Sequence, residues 1–482
     1  MKTIGIDIGT TTISLVCRDS GNAKSGSPAS SAGPGKICAV RTVGNDSAVQ
    51  ANVNAQRVQD PQRIADIVLE SLDVMLSEHQ DVRCIGLTGQ MHGIVCTDSE
   101  GKAVSPLYTW QDQQGNVPLP DGKTMVQQIR EATGIQAASG YGLVTYLCMQ
   151  STHRLPAKSV SICTIPDYIG MLLTGRKTPL THTSMAASLG FYDVRNNCFD
   201  RAALEAVGID PAILPQVTGQ IEVLGNFRGI PVTTAIGDNQ ASFLGSVGLR
   251  EGVPLINIGT GGQISVMTER YIEAAGIETR PLIDGSFLCV GASLCGGRAY
   301  AILEKFFREY AAAAGCDGGS QSDAGGPNAV GSQYEIMRRL AEEAYETSLE
   351  TSLETSLVVN TRFQGTRENP EERGSILNIS EENFTPGGLI VGVLQGISRE
   401  LYDMYSAIQA ETDPQGGQPV DSETGTGDEQ DERTIIVGSG NGLRRNPLLQ
   451  RIIEEMFDAQ LIIPDLEEEA ACGAAWAAER CG

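Results

Sequence analysis

The chain has 482 residues, of which 41% are hydrophobic and 56 are glycine, and its formal net charge is -24. Because a single hydrophobic core stops growing at roughly 250 to 300 residues, this length predicts two domains. The acidic balance argues against nucleic acid and anionic membrane surfaces as partners, since both are bound through clustered Lys and Arg.

The N-terminal sequence and the cysteines indicate a cytoplasmic protein. The chain enters a strand directly after Met1, unlike a signal peptide, and no apolar run reaches the roughly 20 residues of a membrane-spanning helix. Twelve cysteines are scattered without Cys-x-x-Cys pairs. Six of them lie within apolar runs: Cys17, Cys84, Cys96, Cys148, Cys163 and Cys289. We expect reduced core cysteines rather than disulfides or a zinc site. The oligomeric state cannot be predicted.

The N-terminal region is predicted to be β-rich, with a helix crossing between strands. Residues 3–18 predict a hairpin and residues 37–40 a further strand, while residues 20–36, rich in Gly, Ser, Ala and Pro, predict an enlarged hairpin tip. Apolar residues in 63–76 have helical spacing, and residues 84–87 predict the strand that follows this helix.

One hexapeptide is nearly repeated in the two halves of the chain. Residues 6–11 are Ile-Asp-Ile-Gly-Thr-Thr, and residues 256–261 are Ile-Asn-Ile-Gly-Thr-Gly. Each copy ends an apolar alternating run with a turn whose backbone N–H groups and hydroxyls suit a phosphate. We therefore expect two related lobes that hold a nucleoside triphosphate between them. Asp7 in the first copy adds a carboxylate suited to a hydrated divalent metal.

A polar cluster after the strand at 84–87 suits a polyhydroxylated ligand. Residues 88–93 are Thr-Gly-Gln-Met-His-Gly, and residues 109–112 are Thr-Trp-Gln-Asp. Neutral polar groups beside an aromatic face suit a sugar, whose hydroxyls need hydrogen bonds while its C–H faces pack on a ring. Two simpler interpretations stay open: His92 as a satisfied turn histidine and Trp110 as a core anchor.

Asp238 is the strongest candidate for a catalytic residue in the chain. It follows an apolar strand at residues 234–237 and begins a run of small residues that predicts a helix start. Asp is favoured at helix N-caps, where it accepts backbone N–H bonds. A carboxylate at a lobe boundary can instead accept a proton from an alcohol during phosphoryl transfer. The nearby second hairpin favours this role as a general base.

Two further glycine-containing motifs differ in how strongly they indicate nucleotide binding. Residues 121–124 contain Gly-Lys-Thr but lack the earlier glycine and the preceding strand of a phosphate-binding loop, so they predict a surface turn. Residues 438–442, Gly-Ser-Gly-Asn-Gly, follow a strand predicted at 434–437 and precede a helix-like run. Leu443 stands where a dinucleotide fingerprint needs its third glycine, so this motif alone is a weak nucleotide signal.

Three inserts interrupt the predicted elements. One is the hairpin tip already described, and the other two lie in the second half of the chain. Residues 315–331 are of low complexity and follow a predicted helix at 298–314. A Glu-Thr-Ser-Leu tandem follows at residues 346–357, and its four-residue period predicts a helical stripe of leucines that extends to Leu357. Residues 411–433 predict an acidic solvated loop. We expect no chemistry from these inserts at 20–36, 315–357 and 411–433.

Together the motifs resemble those of the FGGY carbohydrate kinases, a family in the fold group of actin, hexokinase and the heat-shock chaperone ATPases. The resemblance covers nearly the whole chain outside the inserts. It implies an α/β fold of two ribonuclease H-like domains with a cleft between them. The sugar-binding domain would be residues 1–245 and the nucleotide-binding domain residues 246–482. ATP and Mg²⁺ would be the cofactors.

The resemblance also implies roles for single residues. Asp238 matches the catalytic base of the family, and Asp7 would position Mg²⁺ through water. The residues that would hold ATP are Asp7, Gly9, Thr10, Thr11, Gly259, Thr260, Gly261, Gly438, Ser439, Gly440, Asn441 and Asn446. The residues that would contact the sugar are Gln90, Met91, His92, Trp110, Asp112, Asp238 and Asn239.

Within the family, several segments are similar to those of ketose kinases. Residues 89–93 are similar to a ketose-binding segment, and residues 109–112, 185–190 and 438–447 look more like sedoheptulokinases than xylulokinases. The implied reaction is phosphorylation of the terminal primary hydroxyl of a ketose, with sedoheptulose favoured over xylulose.

The sequence also departs from the family pattern, and a different class of protein remains open. Gln113 and Gln114 follow Asp112 where the family usually has Gly-Arg, and His182 stands where many relatives have Asp. A chaperone-like or sugar-sensing ATPase would keep both hairpins without needing Asp238 or the sugar cluster.

Overall fold

The computed structural model describes residues 1–21, 35–51, 53, 55–315, 333–349, 357–366, 369–412, 434–465 and 468–481. Most of each predicted insert lies outside the described residues. The strands of the first half are β1 (Lys2–Ile8), β2 (Thr12–Asp19), β3 (Lys36–Gly44), β4 (Ala48–Val49), β5 (Val58–Gln59), β6 (Val82–Gly89), β7 (Val95–Thr97), β8 (Leu107–Tyr108), β9 (Ser161–Cys163), β10 (Leu180–His182), β11 (Tyr192–Asp193), β12 (Cys198–Phe199), β13 (Gln216–Thr218), β14 (Val223–Phe227) and β15 (Ile230–Gly237). The α-helices of the first half are α1 (Pro61–Glu78), α2 (Met125–Thr133), α3 (Gly142–Ser151), α4 (Ile165–Thr174), α5 (Thr183–Ser188), α6 (Arg201–Val207) and α7 (Asp238–Ser246).

The second half has its own strands and helices. Its strands are β16 (Leu255–Ile258), β17 (Gly262–Thr268), β18 (Ile277–Pro281), β19 (Phe287–Ser293), β20 (Val358–Asn360), β21 (Ser375–Leu377), β22 (Thr434–Ser439) and β23 (Ala459–Ile462). Its α-helices are α8 (Gly297–Ala313), α9 (Gln333–Leu349), α10 (Pro386–Thr412), α11 (Asn441–Arg444), α12 (Pro447–Phe457) and α13 (Glu469–Ala478).

Each half is built around a six-stranded sheet, and the two sheets share the arrangement of five of their strands. Their orders are β14-β15-β6-β1-β2-β3 and β18-β19-β17-β16-β22-β23. In this shared arrangement three strands form antiparallel pairs, and two later strands add in parallel on the other side of the central strand. The sixth strand adds antiparallel at opposite edges, as β14 beyond β15 in the first sheet and as β18 beyond β19 in the second. The central strands β1 and β16 carry the two copies of the hexapeptide. The sequence repeat is therefore also a structural repeat.

The predicted periodicities of the first half are confirmed. Ile4, Ile6 and Ile8 of β1 have no exposed surface, and α1 covers this sheet with a stripe of apolar residues. Asp60 caps α1 by accepting a hydrogen bond from the backbone N–H of Gln62. Each fully buried aliphatic side chain of this core contributes about 1.5 to 3 kcal/mol.

Helix α7 belongs to the first half of the chain but packs on the second sheet. It follows β15 of the first sheet, yet Phe243 and Leu244 belong to a core cluster with Leu255 of β16 and Val437 of β22. The second tryptophan, Trp476 of α13, is buried in the same cluster. This cluster is the apolar junction between the two halves.

Helix α13 makes the reciprocal crossing. It follows β23 of the second sheet but lies on the first, where a Cβ at Gly5 would stand 1.8 Å from the carbonyl oxygen of Ala471. The helices α7 and α13 also touch closely, since a Cβ at Gly473 would stand 1.8 Å from the carbonyl oxygen of Ala241. Only glycine allows such an approach. The predicted division between residues 245 and 246 falls in the last turn of α7 and remains a prediction.

The predicted stripe of leucines on a helix is wrong at its last residue. Helix α9 is described as far as Leu349, and residues 350–356 lie outside the described part of the chain. Leu357 is not helical: it is buried directly before β20 and packs on α10 at Gly392. A tertiary contact therefore decides its conformation instead of the four-residue period.

The six cysteines predicted to be core residues are all buried and carry free thiols. Residues 121–124 form a turn, in which Thr124 caps α2 and Lys123 pairs with Glu131 at the surface. In the part of the chain that the structure describes, no helix combines the length and the hydropathy needed to cross a bilayer.

Candidate active site

The first hairpin turn lies between β1 and β2 and is held from behind. Asn45 Nδ2 donates a hydrogen bond of 2.8 Å to the carbonyl oxygen of Gly9, and Gln59 Nε2 donates one of 2.8 Å to that of Thr10. Thr11 is exposed, and Gly9 and Thr10 are partly exposed. The turn thus has fixed carbonyls and accessible hydroxyls, as a phosphate site requires.

The second hairpin turn lies between β16 and β17 and is held by the start of α8. The backbone N–H of Gly297 donates to the carbonyl oxygen of Gly259 at 2.9 Å, and that of Arg298 donates to Thr260 at 3.0 Å. A Cβ at Gly297 would stand 2.5 Å from the Gly259 carbonyl oxygen, so glycine is needed there. Sequence reasoning missed this support, although an adjacent pair of glycines before a helix was a visible signal.

The two central strands differ at one chemically important position. Asp7 pairs with Thr88 of β6, and Asn257 pairs in the same way with Ser439 of β22. Asn257 is neutral and exposed. Burial, together with the charges of Asp238 and Glu468, raises the pKa of Asp7 to about 7. A carboxylate therefore stands at only one of the two equivalent positions.

This carboxylate fits the requirements of a magnesium ion. Mg²⁺ is usually bound through one or two carboxylates and completes its shell with water and phosphate oxygens. Asp7 and Asp238 repel each other in a buried setting, and a divalent cation would relieve this repulsion. Among the described residues, no group of three or more His, Cys, Asp or Glu side chains is arranged to hold a metal. Water and ATP would have to supply the remaining ligands.

Asp238 begins α7 but does not have the geometry of an N-cap. The N-cap is Gly237, and Asp238 Oδ1 accepts from the backbone N–H of Asn239 at 2.6 Å and from its Nδ2 at 2.9 Å. A capping side chain instead accepts from residues two or three positions ahead. Burial raises the pKa of Asp238, while the Asn239 N–H and the charge of Arg280 act in the opposite direction. The cap interpretation therefore lacks its characteristic hydrogen bond.

Residues of the second half reach the first turn of α7. Gln263 Nε2 of β17 donates to Asn239 Oδ1 at 3.4 Å. Arg280 of β18 lies close enough to Asp238 to influence its charge, and its guanidinium pairs with Glu278 at 2.7 Å. The first turn of α7 is thus close to residues of the second sheet. Gln263 and Arg280 were missed because no local motif links them to Asp238.

The residues after β6 lie against the first hairpin and the Asp238 turn. Gln90 Oε1 accepts from Thr10 Oγ1 at 3.4 Å, and Gln90 Nε2 donates to Gln59 Oε1 at 2.9 Å. Met91 is buried beneath Gly237, where a Cβ would stand 2.7 Å from its sulfur. Three predicted parts of the site are therefore in contact with one another.

His92 is held in the left-handed region, with a φ of 72°. Its backbone N–H donates to Ser188 Oγ at 3.0 Å, and its Nδ1 lies 2.8 Å from the carbonyl oxygen of Ser188. A carbonyl can only accept, so Nδ1 carries the proton. The ring stacks on Tyr141 with centroids 4.9 Å apart. The satisfied-turn interpretation accounts for Nδ1, and sequence reasoning missed both partners.

The core-anchor interpretation of Trp110 is wrong. Its side chain is 47% exposed, and its Nε1 donates to Thr10 Oγ1 at 3.0 Å. The other tryptophan of the chain, Trp476, is the one that is buried in a core cluster. The hydrogen bond places the exposed indole ring beside the first hairpin, where a ligand can pack on it.

Asp112 is fully buried, and its oxygens accept from Gln114. The backbone N–H of Gln114 donates to Oδ1 at 3.0 Å, and its Nε2 lies 3.2 and 3.0 Å from the two oxygens. Arg154 Nη2 then donates to Gln114 Oε1 at 2.6 Å. A guanidinium thus reaches this cluster from another segment, although Gln114 stands where the family usually has Arg. Sugar contact through Asp112 stays a prediction.

The second departure from the family pattern also has a local explanation. His182 is fully buried and caps α5, because its Nδ1 accepts from the backbone N–H of Ser184 at 3.2 Å. Burial lowers the pKa of His182 to about 4, so the ring is neutral. Histidine and aspartate both offer an acceptor at this cap position.

A cavity of about 380 Å³ lies beside the predicted adenosine loop. Asn441 and Asn446 of this loop line it. Tyr300 of α8 and Tyr334 of α9 line it as well, and their rings stack with centroids 5.9 Å apart. These tyrosines were missed, since they follow helical spacing like any core residue. The cavity has the size and the aromatic wall that a purine base needs.

The glycine loop itself is shaped by contact with β16. Gly440 has a φ of +87°, and a Cβ there would stand 2.6 Å from the carbonyl oxygen of Ile258. The Ser439 hydroxyl donates to Glu469 Oε1 at 2.9 Å and is buried. The loop can therefore offer backbone N–H groups to a ligand, while Ser439 secures it to α13.

Comparison with known proteins gives a consistent result. Residues 3–267 match the N-terminal domain of the FGGY family of carbohydrate kinases. The sedoheptulokinases of Mus musculus and Homo sapiens are 26% and 25% identical to the chain, and each alignment covers 98% of the chain and 96% of the relative. A xylulose kinase from Streptomyces rubiginosus is 28% identical over 45% of the chain and 47% of its own length.

Solved structures share the fold. The xylulose kinase from Rhodospirillum rubrum has a TM-score of 0.74 at 20% identity, covering 99% of this chain and 89% of that chain. The Plasmodium falciparum glycerol kinase with ADP has a TM-score of 0.71 at 15% identity, with coverage of 99% and 89%. The predicted fold class, two ribonuclease H-like halves of the actin and hexokinase type, is confirmed.

Proposed function

The chain belongs to the FGGY family of carbohydrate kinases and is an ATP-dependent sugar kinase, and we propose that it phosphorylates the terminal primary hydroxyl of a ketose. The single observation that carries this proposal is the position of Asp238: its charge acts on the carboxylate of Asp7, and the preceding residue Gly237 packs on Met91. A base at this point stands between the phosphate hairpins and the sugar cluster.

We propose sedoheptulose as the ketose and its 7-phosphate as the product. Support comes from the sedoheptulokinases, which align with the chain over nearly the full length of both proteins. Xylulose is the second candidate, because several xylulose kinases align with part of the chain at 28% identity.

In the proposed reaction Asp238 acts as the general base. Both of its hydrogen bonds within the described part of the chain fall on Oδ1, so we assign Oδ2 to the substrate hydroxyl. The hydroxyl proton moves to Oδ2 while the sugar oxygen bonds to the γ-phosphorus of ATP. The bond between that phosphorus and the β,γ-bridging oxygen breaks, and ADP leaves.

The remaining predicted residues would hold the reactants. We propose that both hairpin turns bind phosphate oxygens, that residues 438–446 cover the adenosine, and that Asp7 holds Mg²⁺ through water. When bound, Mg²⁺ would neutralise charge on the β- and γ-phosphates. Gln90, His92, Trp110 and Asn239 would orient the sugar, and closure of the two halves would exclude competing water.

The replacement Asp238→Asn tests the role of the base. We expect turnover to fall by at least about 100-fold, since a general base typically contributes 10²- to 10⁴-fold, while the affinity for ATP stays within about 3-fold. The control is Glu70→Gln on the exposed side of α1, which removes one surface charge outside the proposed site. Near-normal turnover of Asp238→Asn would refute the assignment.

A coupled assay of ADP release with a panel of ketoses and polyols tests the substrate. We expect the highest kcat/KM with sedoheptulose, and phosphate on its seventh carbon by NMR of the product. A higher kcat/KM with xylulose would assign the second candidate. Hydrolysis of ATP without any sugar phosphate would instead support a chaperone-like or sugar-sensing ATPase.

A further inference from the structure

Helix α5 lies between the proposed base and the proposed sugar-binding turn. Its residues Ser184 and Ser188 are four positions apart, so their side chains lie on the same helical face. Both are nearly inaccessible, with 1% and 4% exposure. Ser184 lies outside the predicted motifs, and Ser188 lies in the segment 185–190 without a role predicted for it. Each hydroxyl oxygen accepts a hydrogen bond from the backbone of a segment that bears a proposed functional residue.

Ser184 holds the backbone directly before Asp238. Its Oγ accepts a hydrogen bond of 3.1 Å from the backbone N–H of Gly237, the N-cap of α7. Its hydroxyl lies 2.8 Å from His182 Nδ1, which already accepts from the backbone N–H of Ser184. Because Nδ1 is an acceptor, the Ser184 proton points to His182, and a lone pair remains for Gly237.

Ser188 holds the sugar-binding turn in the same manner. Its Oγ accepts from the backbone N–H of His92 at 3.0 Å and donates to the carbonyl oxygen of Met185 at 2.7 Å. The left-handed backbone of His92 is unfavourable for a residue with a side chain and persists only where its surroundings fix it. Ser188 supplies part of that fixation.

We propose that Ser184 and Ser188 are positioning residues which set the distance between the base and the sugar: Ser184 orients Asp238 through Gly237, and Ser188 orients His92. This inference rests on the proposed roles of Asp238 and His92. Because α5 is short and buried, the two anchors are nearly fixed relative to each other. The helix therefore brings the hydroxyl to be phosphorylated within reach of Oδ2.

We expect substitutions of the two serines to change different kinetic constants. We expect Ser184→Ala to lower kcat by about 10- to 100-fold, since a small misplacement of a catalytic group can reduce the rate by about 10²-fold. Its KM for the ketose should stay within about 3-fold. We expect Ser188→Ala to raise the KM for the ketose by about 10-fold while kcat stays within about 3-fold. General loosening of α5 would change both constants alike in both variants, and that result would overturn the proposal.

A double-mutant cycle isolates the path through the base. In an Asp238→Asn background, Ser184→Ala should cause less than about 3-fold further loss of residual turnover, because the group it orients is already absent. A further loss as large as in the wild type would show a structural effect and refute the inference. Asp238→Asn alone decides the proposed function, so the two failures can be told apart.

A conservative variant provides the control. Ser184→Thr keeps the hydroxyl and should retain kcat within about 3-fold of the wild type. If Ser184→Thr lost as much kcat as Ser184→Ala, the result would contradict the proposal. If Ser184→Ala does not fold, Ser184→Cys takes its place, because a thiol of similar size accepts hydrogen bonds only weakly. Wild-type kcat in Ser184→Cys would then refute the role of the hydroxyl.

Discussion

Asp7→Asn should stabilise the protein in the absence of nucleotide and metal, and the gain should depend on pH. The pKa of Asp7 is raised from 3.8 to about 7 by burial and by the charges of Asp238 and Glu468. A carboxyl with a raised pKa binds its proton more tightly in the folded state than in the unfolded state. Deprotonation therefore reduces the free energy of unfolding as the pH rises from about 4 to about 7, and asparagine avoids this loss.

The size of the effect follows from the shift. An increase from 3.8 to about 7 is roughly three units, and at about 1.4 kcal/mol per unit the gain above pH 7 is at most about 4 kcal/mol. About half of this gain should be present near pH 5.5 and none below pH 4. Relaxation of the site and entry of water will reduce the measured value below this limit.

Urea unfolding followed by tryptophan fluorescence, with EDTA present and at several values between pH 4 and pH 8.5, measures the difference. Glu70→Gln on the exposed side of α1 is the matched control, because it removes one negative charge without changing a buried site. A gain for Asp7→Asn that is the same at all pH values, or a loss above pH 7, would refute the explanation.

Three further predictions concern other parts of the molecule. Gly473→Ala should lower the free energy of unfolding by about 3 kcal/mol, measured by urea unfolding, because its Cβ would collide with the Ala241 carbonyl oxygen; unchanged stability would contradict the close crossing of α7 and α13. Trp110→Phe keeps an aromatic ring but loses the hydrogen bond to Thr10, so the KM for the ketose should rise by about 3- to 10-fold in the coupled assay; an unchanged KM would refute this role of the indole. Tyr334→Ala should raise the KM for ATP by about 10-fold with little change in the KM for the ketose; equal changes in both would argue against the adenosine cavity.

Local chemistry explains which parts of the site could be predicted. Both hairpin turns and the break before Asp238 are encoded by consecutive residues, since an alternating apolar run followed by Gly and Thr specifies a strand and its turn. The helix α1 was equally visible from its apolar spacing and was confirmed at Pro61–Glu78. Such features need no knowledge of the rest of the molecule.

The missed residues share a different property. Ser184, Tyr141 and Arg280 reach the site only because distant elements pack together, and none stands in a pattern that differs from ordinary structure. The same holds for α13, whose run of small residues indicates a closely packed helix but not which sheet it covers. The core alternative for Trp110 and the helical prediction for Leu357 fail for this reason as well, because tertiary contacts determine exposure and conformation there.

The reciprocal crossing of α7 and α13 has a consequence for the folding of this protein during its synthesis on the ribosome. At Gly5 and Gly86 the first sheet packs on residues of α13, such as Ala471 and Ala474, which are translated some 400 residues later. A nascent chain therefore exposes an uncovered apolar surface through most of its synthesis. Premature termination before residue 469 would leave the first half incomplete and vulnerable to aggregation, even though nearly all of its own sequence has been made.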